Sequence, residues 1–230
     1  MIEREKVLDA LSGVRDPELD EPITDLRFVA GVEISGDEVE VRLRLPTYFC
    51  APNFAYLMAA DAKAAALSVP GVREARVRLE DHFTSEEINA GIARNSDFEE
   101  TFTGLADGEL DELRELFRRK AFVARGERLF RELMREGHSP EDLAALRVGD
   151  LPESETAQKY LERRAELGLD VSPESPLVVD PEGNRVPEEA VVAHLRFARM
   201  TRVSIEGNAS LCRGLLRTRY GLAGKEEALL

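Results

Sequence analysis

The chain is poor in the residues that most simple chemistries need. It has two cysteines, Cys50 and Cys212, and three histidines in 230 residues. Two cysteines far apart in sequence do not make a disulfide framework, and a reducing compartment would keep both as thiols, so a Cys50 to Cys212 bridge is the less favoured reading. No apolar run approaches the roughly 18 to 20 residues that cross a bilayer, which argues against a membrane protein. The opening residues, MIEREKVLDALSG, lack the long apolar core and small-residue cleavage site of a secretory signal, so the expected address is the cytoplasm. Basic residues are also in deficit. A formal net charge of -14, with local basic runs flanked by acid, disfavours binding to nucleic acid or anionic lipid.

Familiar catalytic motifs are missing as well. There is no Gly-rich phosphate loop, no Gly-x-Ser-x-Gly elbow, no Glu-x-x-His pair for a di-iron bundle and no His-Glu-x-x-His for a zinc hydrolase. A resident metalloenzyme is therefore disfavoured, and a non-catalytic role is expected.

What is present is an ordinary globular composition, 43% hydrophobic and 33% charged. Val7, Leu8 and Leu11 recur at helical spacing and predict a helix over 3–12, stopped at Gly13. Pro17 and Pro22 make the following RDPELDEPITDL a loop. Period-two alternation then predicts a hairpin, RFVAGVEIS and EVEVRLRL about a turn at Gly36-Asp37, with Val39, Val41, Leu43 and Leu45 on the core face. Alanine content and the spacing of Phe54, Leu57 and Met58 predict a helix over 53–68, closed by Pro70-Gly71. VREARVRLE returns as a strand. The expected fold is α+β: a small α/β domain of helix, β-hairpin, helix and strand over 1–82, then a mainly α-helical domain over 83–230. In that second part we expect long amphipathic helices, a short strand-turn at PLVVDPEGNRV, and a last pair of helices around EEAVVAHLRFARM and ASLCRGLLRTRYG.

Cys50 is the residue that asks for an explanation. It sits where a strand ends and a helix begins, with Pro52 suited to a first helical turn. Unpaired N–H groups and the positive end of the helix dipole suit a ligand or a nucleophile there. The competing reading is that a free cysteine is simply a small buried hydrophobe. Nucleophilic catalysis is the poorest choice, because no histidine pairs with Cys50 by sequence.

The order of motifs around it carries a resemblance. The helix VLDALSGVRDPEL, the segment ITDLRFV with Arg27 where a glycine is usual, the hairpin, Thr47, Cys50 and PGVREARVRL are collinear with the metal-sulfur (iron-sulfur) cluster assembly domain family, PaaD-like and SufT-like. The resemblance covers residues 1 to 80. It implies assembly or transfer of an iron-sulfur cluster or iron, held transiently, with Cys50 as the essential ligand and Asp16, Glu18, Asp25 and Thr47 around it. This chain departs from the pattern at Tyr48-Phe49, where small residues are usual, and at Ala51, which separates the cysteine from its proline. One thiol does not hold a cluster that takes four ligands. The others can come from a second protomer in a homodimer, from the recipient, or from Cys212, whose own leucine-rich setting reads better as a thiol packed near a core. A weaker similarity, in DHFTSEEINAG and SIEGNASLCRGLL, is to longer members encoded with propane-type di-iron monooxygenases, implying such an oxygenase or its reductase as client. An alternative role is a structural maturation adaptor that has lost the cluster.

His82 and Glu86 could also ligate iron. A capping box on Thr84 or Ser85 explains the same residues locally and is preferred.

Overall fold

The computed structural model describes residues 2–102 and 110–222. They form two compact units, one of residues up to 110 together with those from 208 on, the other of 111–207.

In the first unit, α1 (Arg4–Ser12) buries Val7 and Leu11. The loop after it leads to β1 (Val29–Ser35) and β2 (Glu38–Arg44), an antiparallel hairpin turning at Gly36, whose φ is +65°. The register slips between Val29 and Gly31, a bulge that shortens the regular pairing. The helix α2 (Pro52–Ser68) then crosses over and β3 (Glu74–Glu80) pairs parallel to β2, giving the order β1-β2-β3. A parallel neighbour needs such a crossover, and an alanine-rich helix fits closely on a three-stranded sheet. Val39, Val41, Leu43 and Leu45 of the β2 segment and Ala75, Val77 and Leu79 of β3 are buried, as alternation requires. Val72 and Arg73, the first two residues of the expected strand, precede β3.

Arg27 has φ +60°, in the left-handed region where resembling domains usually carry glycine. Its carbonyl oxygen accepts from the Arg44 side chain at 3.3 Å, and the Phe28 carbonyl from the Arg44 N–H at 2.8 Å, so the turn is tied to the end of β2.

α3 (Ser85–Arg94) and the single turn α4 (Phe98–Thr101) also lie in this unit. The expected capping box at the start of α3 does not form. Thr84 is the N-cap residue but caps nothing with its side chain, because its hydroxyl is bonded to His82 Nδ1 at 3.1 Å.

The second unit contains α5 (Leu110–Arg135, entering from the first unit at Leu110), α6 (Pro140–Ala145) and α7 (Glu155–Glu166). Here a capping box does form, Ser139 with Asp142. Tyr160 stacks on Phe122 with centroids 5.2 Å apart, and its hydroxyl donates to the Leu177 carbonyl at 2.8 Å. Burial pushes that phenol up to about 12. The run 176–186 holds the expected turn, with the Asp180 carboxylate accepting from the Glu182 and Asn184 N–H groups. It does not hold a strand: its flanks form one isolated bridge, Val179 with Arg185, and Pro176 forms another with Arg147.

The expected last pair of helices is a single helix, α8 (Glu188–Tyr220). No proline interrupts it and Gly207 is tolerated within it, so nothing stops propagation. Its residues up to 207 belong to the second unit and those from 208 on to the first. Among the described residues, no helix is long and apolar enough to cross a membrane. The fold class is thus as expected, an α/β region followed by a mainly helical one.

Candidate functional site

Everything about Cys50 follows from how β2 ends. After Leu45 the chain makes a short turn, and α2 starts with Ala51 as N-cap and Pro52 in its first turn. Cys50 is therefore one residue outside the helix, a half-buried free thiol whose Sγ lies 3.3 Å from Thr47 Oγ1. The same hydroxyl oxygen accepts from the Phe49 N–H at 3.2 Å, which fixes the turn 47–50.

A second segment holds this turn in place. His82, just past β3 and 2% exposed, donates from Nε2 to the Cys50 carbonyl at 2.7 Å. The Phe83 N–H donates to the Tyr48 carbonyl at 3.1 Å. A carbonyl only accepts, so His82 carries its proton on Nε2, and Nδ1 accepts from the Thr84 N–H and hydroxyl. Burial first of all holds the imidazole below its ordinary pKa, which keeps it neutral. In this arrangement both ring nitrogens are occupied, and His82 positions the cysteine backbone. Sequence reasoning weighed His82 as a ligand or as part of a locally capped loop, since nothing local marks a histidine that reaches back to an earlier turn.

Asp16 sits in the loop after α1. It is 7% exposed, and Oδ1 accepts from the Glu18 and Leu19 N–H groups, both at 2.9 Å. Burial outweighs those bonds and, with the charges of Glu18 and Glu21, raises the carboxyl to about 6. Glu18 accepts from Asn208 Nδ2 at 3.2 Å, and Glu21 pairs with Arg213. The terminal turns of α8 are thus bound to this loop. They also bring Cys212 in: burial first, then Asp16, Cys50 and Glu18, push its thiol up to about 11.

The remaining expected residues stand apart. Asp25 is exposed and accepts from Thr24 Oγ1 at 3.3 Å. Glu86 is exposed in the first turn of α3. Among the described residues no three His, Cys, Asp or Glu side chains converge as a metal site.

What the sequence did not single out is an aromatic rim. Tyr48, Phe49 and Phe83 are 47%, 75% and 43% exposed, with ring centroids 5.0 to 6.3 Å apart. The only signal was that Tyr48 and Phe49 depart from the small residues usual there.

Residues 4–78, from the first residue of α1 into β3, match the family described as iron-sulfur cluster assembly protein. An uncharacterized protein of Methanocaldococcus jannaschii is 37% identical over 91 residues, 39% of this chain and 93% of that one. An iron-sulfur cluster carrier protein of Deinococcus radiodurans is 36% identical over 73 residues, 32% of this chain and 20% of the carrier's own length. Through its N-terminal region the chain belongs to the iron-sulfur cluster assembly protein family.

Proposed function

We propose that this protein assembles or hands over an iron-sulfur cluster, or iron, to a client metalloenzyme through a transient site centred on Cys50. The observation that carries this reading is the family match over 4–78 together with the thiol's placement: Cys50 lies at the mouth of α2, held by Thr47 and His82 and edged by exposed aromatics. The cluster is cargo. A single half-buried thiol binds it weakly enough to release, and the recipient supplies further ligands during exchange.

Each neighbour has a part in this scheme. Thr47 hydrogen-bonds the sulfur and fixes its direction. Asp16 and Glu18 supply negative charge that a cationic cargo offsets. Tyr48, Phe49 and Phe83 are an apolar surface beside the thiol, suited to shielding a cluster from water and to meeting the client. The helical part docks that client, of which a di-iron monooxygenase component is one candidate class.

Anaerobic incubation with ferrous iron and sulfide tests the reading. The chain should gain visible sulfur-to-iron absorption, and Cys50→Ser should lose it. Equal absorption in the variant would overturn it. An adaptor that has lost the cluster is the second reading, favoured by the bulky Tyr48-Phe49-Cys50-Ala51 turn; it predicts full client activity with Cys50→Ala.

A further inference from the structure

The second thiol of the chain has no role in the scheme above, although it packs against the same core as Cys50. We infer that Cys212 is a second sulfur ligand of the Cys50 site, so that the terminal turns of α8 complete a dithiol site for a thiophilic metal cargo. This rests on the reading of Cys50 as a transfer ligand.

The argument begins with the helix. Ala209, Cys212, Leu216 and Tyr220 recur at three and four spacing on one face of α8, and all four pack against the core that Cys50 also packs against. Ala209 and Leu216 are fully buried, whereas Cys212 between them is only half-buried, as expected of a side chain at the edge of a packed face. Polar contacts from three residues pin this stretch on either side of the cysteine. Asn208, one turn earlier, donates to Glu18; Arg213 pairs with Glu21; and Arg219 donates to the Leu45 carbonyl at 3.1 Å and to the Asp81 carbonyl. Leu45 directly follows the strand that leads to Cys50, and Asp81 precedes the His82 that holds it. Helix α8 is therefore fastened to the Asp16 loop around Cys212 and, about two turns further on, to both segments that frame Cys50.

The electrostatics agree. The groups that face Cys212 are Asp16, Cys50 and Glu18, with Arg213 as the single neighbouring cation among those acting on it. A surplus of anionic groups around the Cys212 sulfur is unfavourable to its thiolate until a cation replaces the proton. Two thiols also leave coordination positions open. Delivery then proceeds by thiol exchange: for each metal–sulfur bond to this chain that breaks, one forms to a recipient cysteine, whose proton passes to the released thiol. No electron moves, and no other reactant is needed.

Cadmium(II), which binds thiolates and gives an ultraviolet charge-transfer band, serves as the probe with the full-length chain. Alkylation by iodoacetamide, located by peptide mass mapping, should slow about tenfold or more at Cys50 and Cys212 together when cadmium is bound. In the wild-type protein this needs no substitution and so no assumption about folding. Cys212→Ser should lower the charge-transfer intensity per bound cadmium by about half. Protection of Cys50 alone, with intensity unchanged in Cys212→Ser, would overturn the dithiol site while leaving Cys50 as the transfer ligand. Protection of neither thiol would overturn both.

Discussion

The imidazole of His82 donates to the Cys50 carbonyl at 2.7 Å, joining the end of β3 to the turn that carries the thiol. Because the ring is buried and neutral, this contact is sensitive to acid. The folded-state pKa of His82 lies below the ordinary 6.5 of the unfolded chain, so its stabilising contribution is complete above about 6.5 and is lost as pH falls from there through the folded value. Urea denaturation across this range should show a difference between wild type and His82→Gln that shrinks toward acid. At pH 7.5, His82→Ala should cost about 1 to 3 kcal/mol and speed alkylation of Cys50. An unchanged alkylation rate would show that the ring does not hold the turn.

Asp16 has the opposite sign. Its folded-state pKa, about 6, lies above the unfolded 3.8, so the stability it allows is fully present below 3.8 and is lost as pH rises through 6. Asp16→Asn keeps an oxygen for the Glu18 and Leu19 N–H groups and removes the buried charge. It should stabilise the protein at pH 7 by on the order of 1 to 3 kcal/mol, and the gain should vanish near pH 4. Melting temperatures at the two pH values check this, and a loss of stability at pH 7 would contradict it.

At Arg27 the backbone conflicts with the side chain. A φ of +60° costs a non-glycine residue about 1 to 2 kcal/mol, and the added freedom of glycine in the unfolded chain returns part of that. Arg27→Gly should therefore stabilise the first unit by about 0.5 to 1 kcal/mol, read as a higher urea midpoint.

In the second unit the structural hub is Arg164. It is 1% exposed and donates to the carbonyls of Asp170, Pro176 and Leu177 and to Ser175 Oγ. Truncation to alanine removes four donated bonds at once and leaves the Leu177 carbonyl only the Tyr160 hydroxyl. A loss of about 3 kcal/mol or more is expected, with calorimetry as the check. Phe49→Ala gives the contrasting case: with the ring 75% exposed, stability should change by less than about 0.5 kcal/mol while cluster handover slows.

These residues show where sequence reading succeeds and where it stops. The hairpin was legible because Val39, Val41 and Leu43 alternate with charged residues, and one buried face fixes the register. The helix after Cys50 was legible from Pro52 and the alanines. Local patterns failed where a side chain is claimed by a distant partner: the Thr84 hydroxyl caps no helix because His82 takes it, and a histidine that bonds a remote carbonyl leaves no periodic trace. The proximity of Cys212 to the Asp16 loop depends on Asn208 and Arg213 finding Glu18 and Glu21, pairings that no local pattern specifies. The joining of two expected helices into α8 is a simpler case, since neither Gly207 nor Asn208 is a strong enough breaker.

The central claim is that Cys50 carries the cargo. Handover of a reconstituted cluster from this protein to an apo-ferredoxin, followed anaerobically by the circular dichroism of the acceptor's cluster, tests it most directly. Wild type should transfer its cluster, and Cys50→Ser, folded to the same extent, should transfer none beyond free iron and sulfide. Transfer at the wild-type rate by Cys50→Ser would contradict the account.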